Sequence, residues 1–176
     1  MKLSKVKGVC AGTGHIFHIK VETGFDIQSW IGDGAALYPI RSLDITAEKA
    51  RIIWELDEEK VSCREGDMDL ILAKQLAGVP VQIDAENAPT KEVCEINGWK
   101  VLWDETTQQS RLINVRFLAP VEAKNRAYLY MEEEGWVAVY EEGVIAAVVV
   151  PMKWQSILEE QMQKLGLIYA REKVSP

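Results

Sequence analysis

The stretch AYLYMEEEGWVAVYEEGVIAAVVVP, residues 127–151, constrains the fold more than any other part of the chain. It holds three β-rich runs, Ala127 to Met131, Trp136 to Tyr140 and Val144 to Val150, with turn residues at Glu134-Gly135 and Glu142-Gly143 between them. Connections this short leave no room for a crossover helix, so the strands must follow one another as an antiparallel meander. The last run is the longest apolar one in the chain. It falls far short of the roughly 20 residues a membrane helix requires and reads as a buried strand.

A second signal lies upstream in EVCEINGWKVLW, residues 92–103, where Asn97-Gly98 joins two β-rich runs. Both residues tolerate the positive φ of a type I′ turn, which makes this a hairpin. Trp99, Val101 and Trp103 then share one face of the second strand. That row either packs under the C-terminal helix, which is the favoured reading, or offers a partner an aromatic contact surface.

The first half alternates less cleanly. HIFHIKV, residues 15–21, puts His15, Phe17, Ile19 and Val21 on one strand face, which makes His15 a core or interface residue. Phe25 to Ile31 is a second extended run, and AALYPI, residues 35–40, a third that ends at Pro39 or lies at an edge. Between them, Gly32-Asp33-Gly34 invites a phosphate-binding interpretation, but a carboxylate stands in the middle and no helix pattern follows. A turn is the expectation. Gly12-Thr13-Gly14 lacks the third glycine of a dinucleotide loop and reads as a link. Thr46 is a candidate N-cap for an amphipathic helix over residues 46–56, with Ala50, Ile53, Trp54 and Asp57 at helical spacing. Lys60 to Arg64, Leu70 to Leu76 and Val79 to Ile83 are weaker strand candidates, the middle one equally compatible with a helix. From Met152 to Leu165 the apolar residues Trp154, Leu158, Met162 and Leu165 form one helical stripe.

These elements predict an α+β fold, mainly antiparallel sheet, with a short helix near residues 46–56 and a C-terminal helix packed on the sheet or on a partner. Residues 1–14, with Lys2, Lys5 and Lys7 and no acid, read as a flexible basic arm. Residues 15–151 form one strand-rich domain with a candidate sub-boundary at 84–92, and residues 152–176 form the C-terminal helix and tail. At 176 residues, 48% apolar and 27% charged, the chain is of ordinary globular composition.

Composition also narrows the chemistry. A net charge of −7 disfavours a general nucleic-acid binder. Cys10, Cys63 and Cys94 form no C-x-x-C pair and, with no signal peptide evident, read as reduced cytoplasmic thiols. His15 and His18, three apart on a strand, point to opposite faces and cannot share a metal. No G-x-S-x-G elbow is present. Neither a catalytic residue nor a cofactor or metal is expected, though Cys63 or Cys94 with His15 or His18 is an alternative small-enzyme arrangement.

The segments WIGDGAALYPI and GWVAVYEEGVIAAVVVPM resemble recurring segments of small uncharacterised proteins of Gram-positive bacterial genomes and prophages, which implies a prophage origin but carries no activity with it. INVRFLAPVEAKNRAYLYME with AAVVVPMKW is similar, more faintly, to the last repeat of DNA sliding clamps. That likeness implies a clamp-like, DNA-associated ring of several subunits, although Pro120 stands where a clamp has a long basic helix. The function expected is a non-enzymatic protein–protein interaction or scaffold protein that binds a partner or itself, with DNA possible but not favoured. Its contact residues would be Trp99, Trp103, Trp154, Leu158 and Met162.

Overall fold

The computed structural model of the chain describes residues 2–23, 26–40, 45–66, 76–80, 82–84, 86–121, 125–133 and 135–153. In chain order the elements are α1 (Leu3–Thr13), β1 (His15–Thr23), β2 (Asp26–Gly32), β3 (Ala36–Ile40), α2 (Ala47–Ile53), β4 (Ser62–Gly66), β5 (Thr90–Ile96), β6 (Trp99–Asp104) and β7 (Gln109–Asn114). A 3-10 turn (Val115–Leu118) leads to β8 (Arg126–Met131), β9 (Trp136–Glu141), β10 (Val144–Val149) and β11 (Met152–Lys153). All the strands join one sheet in the order β11-β7-β6-β5-β8-β9-β10-β3-β2-β1-β4. Every pairing is antiparallel except β1 with β4. The fold is thus α+β with a mostly antiparallel sheet, and strands from both sides of residues 84–92 belong to it.

The meander and the hairpin form where local turn chemistry places them. Asn97 and Gly98 have φ of 48° and 79°, and Glu142 and Gly143 have 52° and 80°. These are the paired positive angles of type I′ turns, whose twist matches that of the strands they join. Ile96 faces Trp99 across the first turn, and Glu141 faces Val144 across the second. Pro39 lies inside the sheet, yet β10 pairs only with Ala36 and Leu37, so no ladder on that side asks Pro39 for an N–H.

Helix α2 also follows its sequence signals: the Thr46 side chain accepts the Lys49 N–H at 3.1 Å, and Glu48 occupies the first turn. Its buried stripe is Ala47, Ala50 and Trp54, which includes the expected Ala50 and Trp54, but Ile53 faces outward with Ile52. Strand β7 ends at Asn114. There the Asn114 side chain accepts the Arg116 N–H at 3.0 Å and turns the chain into the 3-10 turn. Among the described residues from Val79 to Ile83 there is no strand, only a bridge from Gln82 to Val144. The Leu70 to Leu76 candidate lies outside the described residues up to Gln75, and so does the expected C-terminal helix with Trp154, Leu158 and Met162.

The basic arm is a correction. Residues Leu3–Thr13 are helix α1, with Val6, Val9 and Cys10 buried as one stripe. Two interior glycines argue against a helix by propensity, but burial of that stripe outweighs the roughly 1 kcal/mol each costs. Gly14 ends the helix at φ 72°, donating its N–H to Cys10 O at 2.9 Å. The Lys2 N–H reaches Pro120 O at 2.8 Å, which ties the start of the chain to the segment after β7.

The sheet curls. Tyr38 of β3 donates its hydroxyl to Phe117 O at 2.8 Å, although five strands separate β3 from β7 in the sheet order. Laid flat, those strands would hold β3 and β7 about 29 Å apart. The inner face therefore closes around one core, to which β1, β3, β6, β7, β9, α1, α2 and the 3-10 turn all contribute. A second core lies on the other face, over β1–β3 and β8–β10, where Leu76, Val79 and Ala88 cover Ile19, Trp30, Ala138, Tyr140 and Val148.

Candidate interaction surface

Among the described residues, the cover of that second core stops short of one part of the sheet. On β6, Trp99, Val101 and Trp103 point to the outer face, opposite Leu102 and Asp104, which are buried inward. Register extends the row sideways: Val101 faces Leu112 of β7, Leu112 faces Met152 of β11, and Ile96 and Cys94 of β5 face Trp99 and Val101. Ile96, Met152 and Cys94 are exposed, and Trp99 and Trp103 are half-buried. The structure thus brings Trp99 and Trp103 together on an apolar outer face. They are half-buried and belong to neither core, and the C-terminal helix under which the row was expected to pack lies outside the described residues.

At the centre of this face Leu112 is 1% exposed and Val101 8% exposed. Neither belongs to the two hydrophobic cores. The described helices all contribute to the inner core, on the other side of the sheet. Among the described residues β5 pairs with β8 only at Thr90, and the rest of that edge is poorly suited to strand addition. It carries Lys91, Glu92 and Glu95, and a bulge lies between Glu92 and Cys94; charges and bulges both discourage edge pairing.

The inner face of the same strands is polar where it meets β8. β5 and β8 share only the pairing Thr90 with Tyr128. The Thr90 hydroxyl donates to Asp104 Oδ1 at 3.0 Å and accepts the Tyr130 N–H at 3.0 Å. Tyr128 donates to Glu92 Oε2 at 2.9 Å, and the Arg111 guanidinium lies 4.4 Å from the Tyr130 ring centre. Burial pushes the Glu92 carboxyl up, but hydrogen bonds from Lys100 and Tyr128 outweigh it and hold the group below its ordinary value.

Gly32-Asp33-Gly34 closes the β2–β3 hairpin. Asp33 Oδ1 accepts the N–H groups of Ala35 and Ala36 at 2.9 and 2.8 Å, so the carboxylate fills the space an anion would need. A Cβ on Gly32 would lie 1.8 Å from Ala36 O, and Gly34 has φ 90°. The neighbouring residues of that motif are structural too: Trp30 and Ala36 are buried, and Tyr38 makes the bond to Phe117.

The histidines and thiols take separate places. His15, expected in a core or interface, is exposed and bonds Ser62 at 2.6 Å. His18, expected on the polar face, is 2% exposed; its Nδ1 lies 2.6 Å from Glu65 Oε2, and the other Glu65 oxygen accepts the Ala47 N–H. Polar neighbours on β1 disguised this residue, because α2 covers the face it shares with Ile16. Burial, and then the Asp33 charge, push the Cys10 thiol up to about 12; burial and a hydrogen bond to Glu48 raise Cys63 as well. Cys63 Sγ contacts Ala47 O at 3.6 Å. Among the described residues no three His, Cys, Asp or Glu side chains are grouped to hold a metal ion, and no helix is long and apolar enough to cross a membrane. A shallow hollow of about 350 Å³ between Asp84 and Glu142 holds two acids with no base beside them.

The chain matches no protein-family model, no curated protein and no solved structure.

Proposed function

We propose that this chain is a non-enzymatic interaction or scaffold protein, and that its working surface is the outer face of β5, β6, β7 and β11. The observation that carries this is the row Ile96, Trp99, Trp103 and Met152: large apolar side chains, half-buried or exposed, side by side on one sheet face. A contiguous apolar patch of this kind on a folded domain marks a contact site, and tryptophans anchor such contacts. Association works by removing that area from water, with no bond chemistry. The occupant is an apolar segment of a protein partner or of a second copy.

The placement of the thiols supports a non-enzymatic role. Cys10 and Cys63 are both shifted toward the unreactive thiol form, and the hydrogen bonds of His15 and His18 go to Ser62 and Glu65. Residues 3–13 fold into α1, so Lys5 and Lys7 stand on a helix packed against the core and not on an extended arm.

Light scattering over a concentration series tests the proposal. The full chain should associate as concentration rises, and Trp103→Asp should weaken that association about thirtyfold, the roughly 2 kcal/mol of an aromatic anchor. Assembly that is indifferent to Trp103→Asp would sink the proposal.

A further inference from the structure

The polar seam on the inner face holds a buried cation that no described acid answers. Arg111 is 6% exposed. Among the described residues its guanidinium stacks on the Tyr130 ring, 4.4 Å from the ring centre, and donates from Nη1 to Ser110 O at 3.2 Å; no described acceptor meets its Nε–Nη2 edge. The neighbouring acids are engaged elsewhere. Asp104 accepts from Thr90 on one oxygen and from Thr107 on the other, and Glu92 accepts from Lys100 on one and from Tyr128 on the other. A charge this enclosed is costly to leave with one backbone partner, and stacking on an aromatic ring offsets only part of that cost.

The place of the pair in the sheet adds to this. In strand order Arg111 of β7 and Tyr130 of β8 stand three spacings apart, about 14 Å laid flat. Their side chains therefore reach toward each other over the inner face of β5 and β6, and Tyr130 is half-buried, which gives the pair access to solvent. We propose that Arg111, held flat on Tyr130, is the recognition point of a carboxylate site on the inner face, with Nε and Nη2 each donating to one oxygen of the ligand. That edge is a rigid two-donor fork whose geometry matches a carboxylate. A monoanion suits it better than a phosphate, because Asp104 and Glu92 resist a second negative charge on the same face. The site lies across the sheet from the proposed contact surface and does not depend on it.

Titrating the full chain with sodium acetate at constant ionic strength tests the site, with the Arg111 Nε–H and Tyr130 ring resonances followed by NMR. A saturable shift of both is expected, and inorganic phosphate should bind several-fold more weakly. Arg111→Gln should weaken acetate binding at least tenfold, and Arg111→Lys, which keeps the charge but loses the fork, several-fold. N-acetylglycine and its amide identify the source of the carboxylate. Tighter binding of acetylglycine than of acetate means a peptide C-terminus, equal binding means a free small acid, and the amide should not bind. Acetate should also raise the Tm of the native chain and leave that of Arg111→Gln unmoved. A merely structural arginine predicts the reverse: Arg111→Gln lowers the Tm, and acetate moves neither protein. That result, or Arg111 and Tyr130 resonances that acetate and chloride shift alike, would overturn the site. Should Arg111→Gln fail to fold, the native resonances and Arg111→Lys decide the matter.

Discussion

The two parts of the sheet on either side of the β5–β8 seam are built to different standards of enclosure. From β8 through β9, β10, β3 and β2 to β1, apolar side chains on both faces feed one of the two cores, and strands such as β3 and β9 read as nearly unbroken buried runs. Across the seam, β5, β6, β7 and β11 bury their inner face and leave an apolar outer face to the described residues alone. A sheet covered on both sides tolerates no polar alternation, whereas one with a free face normally alternates apolar inside with polar outside. β6 breaks that rule, carrying Trp99, Val101 and Trp103 outward. That outward apolar row, on a strand whose inner face is already packed, is what motivates the proposed contact surface.

The contrast is tested most sharply by the same substitution in both parts. Trp30, 1% exposed in the second core, should cost about 3 to 5 kcal/mol when replaced by alanine, measured by denaturant unfolding. Trp103→Ala should cost about 1 kcal/mol. Equal losses would mean that the outer face contributes to folding as fully as the core does.

The seam should respond more than its length suggests. Thr90→Val keeps the shape but removes both hydroxyl hydrogen bonds, leaving the Tyr130 N–H and an Asp104 oxygen without their partner. The expected cost is about 2 kcal/mol. Hydrogen exchange should quicken in β5, β6 and β7 before β9 and β10, and uniform quickening would show the two parts to be one cooperative unit.

The smallest effect is electrostatic. Glu92 is held below its ordinary carboxyl value in the folded chain, so its contribution is present above about pH 4.5 and is lost as pH falls through the folded value. Glu92→Gln should therefore flatten the acid limb of the stability curve and change little near neutrality. A stability curve with an unaltered acid limb would remove Glu92 from the seam.

Much of this architecture was legible from local signals. Asn97-Gly98 and Glu142-Gly143 specify turns whose φ values few other pairs reach, and Thr46 specifies a helix start through one side-chain hydrogen bond; each needs only its neighbours. The row of Trp99, Val101 and Trp103 was legible too, because alternation on a strand follows from the pleat. Its exposure was not, since that depends on whether a distant segment lies over it. Helix α1 was misread for the same reason: its glycines speak against a helix locally, and only a core assembled from residues 16, 31 and 113 and beyond rewards burying Val6, Val9 and Cys10.

The sequence by itself determined where the chain turns and which side chains share a strand face, because turn conformation and pleat are properties of a few adjacent residues. Only the tertiary structure decided which face is enclosed, that the sheet curls until Tyr38 reaches Phe117, and that His18 is buried against Glu65 while His15 is not. Those outcomes depend on surfaces brought together from far along the chain, and no local pattern carries the free energy of burying them.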